Sequence, residues 1–457
     1  MLQRLEAMFP GLERYPLDQE PLPPAEALPR LCRGVRPFLL DGAVDADGLG
    51  RISYGGCDPV AWHRDLVLEP PPPGVPFHAR RAAPLQRLEE ALARLQPLPL
   101  VGIISYDIGR AIERLPEQAT ADGMGLPPVD LAAYDALYVH DAASGESWLL
   151  AASAQAAGRL RRTLLRRGLP PGPLVCVGKP AFAIGPRTYM DMVRAVQERL
   201  QAGDCYQVNL CRRLVVPVGQ TDALALYLRL RAVAPAPLGA YLRLDAPGGG
   251  AEAPVVLSNS PELLLAVDLT SGTVETRPIK GTRPRGPDPA RDRALAQELQ
   301  AADKDLAEHL MIVDLLRNDL GRVCQVGSVA VSGYARLLSL PTVHHLVSTV
   351  SGRLERGRGW HDLLRAMLPG GSITGAPKLR AMEVIEELEP VRRGPFYGAL
   401  GWLTATAGQL SLCIRTAVVR GGELVLSVGG GIVVDSTPKA ELEETEVKAA
   451  AFLRALA

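Results

Sequence analysis

The sequence predicts an α+β protein built on antiparallel sheets. Three observations carry this. Strand-like and helix-like segments do not alternate in the rhythm of a parallel βαβ sheet. Residues 260–282, SPELLLAVDLTSGTVETRPIKGT, hold two strand-like runs about a Thr-Ser-Gly turn, the pattern of a hairpin. Near the end, residues 398–404, 409–419 and 423–434 form three strand-like runs separated by Gly-rich turns.

Composition narrows the class. The chain has 457 residues, of which 47% are hydrophobic and 22% charged, the balance of a globular enzyme. That length suggests more than one domain. The formal net charge is +0 and no basic stripe appears, which argues against a nucleic-acid partner. No run is long and apolar enough to span a bilayer. The first residues, MLQRLEAMFPGLERYP, lack the apolar centre of a signal peptide. Seven cysteines, an odd number without a CxxC pair, argue against a disulfide framework or zinc site, and a cytoplasmic setting is expected. Only six lysines occur: Lys179, Lys280, Lys304, Lys378, Lys439 and Lys448. In an arginine-rich chain a retained lysine hints at chemistry that needs a base able to lose its proton.

Along the chain, residues 1–180 are proline-rich, with strand-like LVGIISYDIG and ESWLLAASA, and the Pro/Gly cluster at 168–174 marks a boundary. Two regions are expected: 1–180 as an accessory region and 181–457 as the catalytic one. Tyr189, Met192, Val193, Val196 and Leu200 recur at helical spacing up to Gly203. In CYQVNLCRRLVV, Tyr206, Val208 and Leu210 alternate with Gln207, Asn209 and Cys211, a strand with one polar face. Residues 291–320 read as one long helix with Leu306, Leu310, Val313 and Leu320 on a stripe, Pro377 opens another, and a final helix begins near Pro438.

Four patterns bear on chemistry. In the hairpin, residue i pairs with about 541 minus i, which sets Glu262 opposite Ile279 and beside Lys280. A carboxyl and an amine so placed can act as acid and nucleophile, or form a surface ion pair worth little. Asp305 and Glu308 share one helix face; Glu441, Glu444 and Lys448 share another. Such carboxylate pairs suit Mg2+, and equally suit a solvated acidic face. GGSITGAPK (370–378) and VGGGIV (428–433) can offer backbone N–H groups to an anion, or be tight turns and bulges.

These segments carry a resemblance. SPELLL, PIKGTRPRG, AEHLMIVDLLRNDLGRV, GGSITGAPKLRAMEVIEELEP and GGGIVVDSTPKAELEETEVKA resemble, in order, the signature blocks of the chorismate-utilising enzymes. PFLLDGA and GIISYDIGRAIERLP resemble the accessory region of the anthranilate and aminodeoxychorismate synthases. The resemblance implies large antiparallel sheets with helices packed outside and a central cleft, as in anthranilate synthase component I. It implies Mg2+ held by Glu308 and Glu444 with Asp305 and Glu441 nearby, His345 as the active-site histidine ahead of His344, and Arg415 as the grip on a substrate carboxylate. Ser372, Gly430 and Lys448 match substrate-contacting positions. Gln207 stands where isochorismate and salicylate synthases place a lysine base, so water is not the expected nucleophile. PIKGT, where anthranilate synthases read PIAGT, resembles the branch that makes 4-amino-4-deoxychorismate, with Lys280 as covalent nucleophile and Glu262 as acid. Partial burial near Arg283 and Arg285 would lower the pKa of Lys280, and an ionised Glu262 would oppose that; the sequence leaves the balance open. The resemblance also implies ammonia from a glutamine amidotransferase partner. Gly42 departs from a serine of the family's tryptophan pocket, and Trp402 from a tyrosine that contacts substrate. The rival expectations are anthranilate synthase component I and a chorismate-binding subunit without catalysis.

Overall fold

The computed structural model describes residues 8–17, 20–65, 83–121, 123–246 and 253–457. Two antiparallel sheets organise them, one of 12 strands and one of 10. The larger runs from Glu13–Pro16 at one edge through Leu238–Arg243, Val255–Ser260, Thr416–Arg420, Glu423–Ile432 and Gln207–Pro217 to Gly375–Ala376. The smaller runs from Ile279–Pro284 through Val343–Arg353, Thr273–Arg277, Leu263–Asp268, Ala407–Leu412 and Ala399–Leu403 to Leu100–Ile104, Val129–Ala133 and Ala61–Asp65. Strands from both sides of residue 180 therefore pair within each sheet. One apolar core joins the sheets: Phe38, Leu242 and Val256 of the larger lie in the same cluster as Ile103, Leu131 and Leu410 of the smaller. Pro186–Gln201, Ala223–Val233 and Pro438–Leu456 cover the larger sheet, with Leu226, Leu230 and Phe452 packing on Leu214, Leu257 and Leu426. The α+β class with helices outside large antiparallel sheets is what the sequence predicts.

Several local expectations are met. The helix Pro186–Gln201 buries Tyr189, Met192, Val193, Val196 and Leu200, and Gly203 takes φ +81 after its end. The expected strands in the first region are Leu100–Ile104 and Ser147–Ala151. Others are corrected. The stretch 291–320 is two helices, Pro289–Gln300 and Asp303–Gly321, broken at Ala301 and Ala302. The second buries His309, Ile312, Val313, Leu316 and Leu320, whereas Leu310 is exposed; the seam is turned by about one residue from the leucine stripe. The run 409–419 is two strands in different sheets, parted at Cys413–Arg415. On Gln207–Pro217, Gln207, Asn209 and Cys211 are as buried as Val208 and Leu210; the polar face looks into a covered cleft, not solvent. Through Gly429, Gly430 and Gly431 the ladder with Cys211, Leu210 and Asn209 continues without a register shift, so the triple glycine is strand, neither bulge nor turn.

Candidate active site

The site forms where the chain crosses between the sheets. It passes from the larger to the smaller sheet at Pro261 and Glu262, and returns at Cys413–Arg415. The crossings brace each other: Leu412 N–H donates to the Glu262 carbonyl at 3.1 Å and Asn259 N–H to the Arg415 carbonyl at 2.9 Å. Arg415 takes φ +48 to make the turn, a left-handed backbone held only because the two sheets fix both ends.

The hairpin keeps the predicted sum of 541 at Asp268 with Thr273, Val267 with Val274 and Ala266 with Glu275. A bulge then slips the register, and Leu263 faces Arg277. Beyond Pro278 the chain leaves this partner, and Ile279 and Lys280 pair with Val347 and Leu346. Lys280 and Glu262 are thus neighbours across the site, not a cross-strand pair. Lys280 Nζ instead donates to Glu308 Oε2 at 2.6 Å. Burial opposes its charge, but Glu308, Glu444 and Glu441 outweigh burial and raise its pKa above the usual lysine value. Of the opposing effects the sequence leaves open, carboxylate charge prevails, and it comes from Glu308, Glu444 and Glu441 rather than from Glu262. Arg283 is spent on Glu298 and Asp305, and Arg285 on Asp292.

Glu262 is 5% exposed, and its Oε1 accepts from Ser372 Oγ at 2.7 Å. Burial pushes its pKa up to about 7 against the opposing pull of Ser372, Lys280 and Lys448. A carboxyl so poised can deliver a proton near neutrality. It also costs stability. The group ionises near 4.5 when unfolded, so the stability it leaves intact below that pH is lost as pH rises through about 7. Glu262→Gln keeps an acceptor for Ser372 and removes the buried charge. We expect it to be more stable than wild type at pH 8, by on the order of 3 kcal/mol. Melting temperatures at pH 8 and pH 5 test this, the gap shrinking at the lower pH.

His345 is buried, and its Nδ1 lies 3.1 Å from the Gly281 carbonyl and 3.0 Å from Thr282 Oγ1. A carbonyl only accepts, so Nδ1 is assigned the proton and Nε2 the lone pair. That Nε2 is buried with no partner among the described residues. Burial, with Arg415 beside it, pushes the pKa down to about 3, so the ring is neutral and awaits a donor. His344, by contrast, is tied to Ser339 and Asp292. Among the described residues the Arg415 guanidinium has no hydrogen-bond or ion-pair partner, and burial lowers its pKa despite the nearby Glu444. A bare guanidinium in a covered cleft is a ready site for a carboxylate. Arg415→Gln should raise KM for an anionic substrate roughly 10- to 100-fold, the worth of a charged hydrogen bond, with a smaller effect on kcat. Steady-state kinetics checks this.

The carboxylates gather on the far wall. Glu308 is on Asp303–Gly321; Glu441, Glu444 and Lys448 are on Pro438–Leu456. Glu441 Oε1 accepts from Ser436 at 2.6 Å, while its Oε2 is buried without a partner among the described residues. Lys448 Nζ donates to Glu444 Oε1 and to the Gly429 carbonyl, both at 2.6 Å. Asp305 stands apart from this group, its Oδ2 3.1 Å from Arg283 Nη2. The glycines make the approach feasible. A Cβ on Gly430 would lie 2.8 Å from Glu441 Oε2 and 3.2 Å from Glu444 Oε1. On Gly431 it would lie 2.6 Å from Gln207 Nε2 and 3.1 Å from Lys280 Nζ. Gln207 is fully buried, and both its amide atoms lack partners among the described residues.

Residues missed in the sequence are supports: Thr282 for His345, Ser436 for Glu441, and the buried Lys378–Asp319 pair at 2.6 Å behind the Ser372 turn. Only Thr282 had a local signal, its place two residues after Lys280. Trp402 is not in the site; it packs in the core against Phe9 and Tyr54.

The family model for chorismate binding enzymes matches residues 72–454. The chain is 38% identical to anthranilate synthase component 1 of Streptomyces coelicolor over 476 residues, covering 96% of this chain and 88% of that protein. It is 40% identical to aminodeoxychorismate synthase component 1 of Escherichia coli, with 82% of each covered. The crystal structure of anthranilate synthase component I from Streptococcus pneumoniae superposes with a TM-score of 0.72 at 28% identity, covering 88% of this chain and 92% of that one. A family model that spans most of the chain, with relatives at 38% and 40% identity covered over most of their length, shows that the protein belongs to the chorismate-binding enzymes.

Proposed function

We propose that this enzyme converts chorismate and ammonia to 4-amino-4-deoxychorismate, with Lys280 as a covalent nucleophile. The observation that carries the reading is Lys280 itself, set in the cleft over Gly431 between Gln207 and Glu308 and facing the acid Glu262. Relatives of both the aminodeoxychorismate and anthranilate branches match at comparable identity, so it is this side chain that favours the first.

In the proposed reaction the Arg415 guanidinium grips a chorismate carboxylate and orients the ring. The Lys280 amine, once neutral, bonds to ring carbon C2; both ring double bonds shift by one position, the C4–O bond breaks, and Glu262 gives its proton to the departing oxygen as water. Ammonia then bonds to C4, both double bonds shift back, and the C2–N bond breaks to return the lone pair to Lys280. The proton shed by the new amine restores Glu262. One ammonia enters and one water leaves. The neutral His345 accepts a hydrogen bond from the bound substrate at Nε2.

Mg2+ fits the carboxylate wall. The available donors are all oxygens, and Glu441 Oε2 is buried and unpartnered. No group of three His, Cys, Asp or Glu side chains among the described residues forms a closed metal cluster. A Mg2+ ion needs only one or two protein carboxylates when substrate and water complete its shell. Glu308 and Glu444, with Glu441 beside them, would hold it, and it would neutralise the charge of a substrate carboxylate. Ammonia is assigned to a glutamine amidotransferase partner. No described helix is long and apolar enough to cross a membrane, and the unpaired cysteines fit a cytoplasmic setting.

The test is product identity. With chorismate, Mg2+ and an ammonium salt, chromatography with mass detection should show aminodeoxychorismate. Anthranilate as the main product would overturn the reading.

A further inference from the structure

We propose that Lys280 and Mg2+ are alternative partners of Glu308, so that the metal binds only by displacing the lysine and thereby frees it to face the substrate. The inference deepens the function proposed above and rests on its assignment of Lys280 and the carboxylate wall. In the protein without metal, the Lys280 ammonium already fills the role of a cation there. Nζ lies 2.6 Å from Glu308 Oε2, and the charges of Glu444 and Glu441 act on it from the helix Pro438–Leu456. No side chain stands between, because positions 430 and 431 are glycine. The wall keeps an electron-pair donor for an ion in Glu441 Oε2, which is buried and has no partner among the described residues.

An oxygen in close contact with an ammonium cannot also sit in the first shell of a divalent ion without bringing two cations together. The two states are therefore exclusive at Glu308. Metal entry strips Lys280 of its hydrogen-bond partner and leaves Nζ over Gly431 beside Gln207, on the substrate side of the cleft. Lys304 provides the contrast. It also neighbours Glu308, but at 3.8 Å, through Oε1, and from an exposed position. It contributes charge without occupying the place of the ion.

Competition has a measurable signature. If the lysine holds Glu308 in about 90% of molecules, the apparent Mg2+ affinity is reduced about tenfold. Titration calorimetry with MgCl2 alone, without chorismate, should show Lys280→Met binding the ion about tenfold more tightly than wild type. Lys304→Met, which removes an equal but exposed charge, should change affinity by less than about threefold. Lys280→Gln serves as the second variant, with circular dichroism confirming the fold of each. Equal effects at Lys280 and Lys304, unchanged or weaker binding by the Lys280 variants, or no Mg2+ binding by any of the proteins would each overturn the proposal. Its fate is separable from that of the proposed function: a wild type that makes anthranilate, with tighter binding in Lys280→Met, sinks the function and leaves the competition standing.

Discussion

Lys280→Ala is expected to abolish aminodeoxychorismate formation, with turnover falling on the order of 10³-fold or more. The substitution removes the attacking atom itself, and a covalent route has no substitute once its nucleophile is gone. It does so without exposing a charged core. The lysine's partner Glu308 lines the cleft and keeps Lys304 nearby, so the fold should persist and Arg415 should still bind substrate. Residual turnover should place the amine on C2, the carbon that Lys280 otherwise covers. Progress curves with product separation check both parts; wild-type rates of the same para-amino product would exclude Lys280 as nucleophile.

Glu262→Gln is expected to lower turnover about 10²- to 10⁴-fold, the usual share of a positioned acid. It also removes one inflection from the pH profile. In the free site Lys280 holds its proton above the usual lysine value while Glu262 ionises near 7. The reactive form needs the reverse, a neutral amine and a protonated acid. Its population rises with pH up to about 7, stays level until Lys280 begins to titrate, and then falls. The profile of kcat/KM, which reports the free enzyme, should therefore bend near 7. Ser372→Ala, which deletes a hydrogen bond to the carboxylate, should move that bend upward; Glu262→Gln should abolish it.

The sequence was informative where the signal is local. The helix Pro186–Gln201, the hairpin register near Asp268 and the final helix follow from periodicity and turn chemistry that neighbours in the chain supply. Lys280, Glu262, Glu308, Glu444, Gln207 and Arg415, far apart in sequence, lie around one cleft. What local signals hide is the third dimension. The run 409–419 is continuously strand-like, and nothing in it reveals that Arg415 is where the chain changes sheets. The helix break at Ala301 and Ala302 falls between good helix formers. The partner of Lys280 is Glu308 rather than Glu262, because a bulge and Pro278 redirect the strand after the hairpin. Asp305 shares a helix face with Glu308 yet turns to Arg283, since arginine reaches it from the neighbouring strand.

The central claim is the covalent bond between Lys280 and the ring. The direct measurement is mass spectrometry of enzyme mixed with chorismate and Mg2+ without ammonia, quenched and digested. The peptide bearing Lys280 should gain the mass of chorismate less one water, and adding an ammonium salt before the quench should discharge it. An unmodified peptide from enzyme that turns over normally once ammonia is supplied would contradict it.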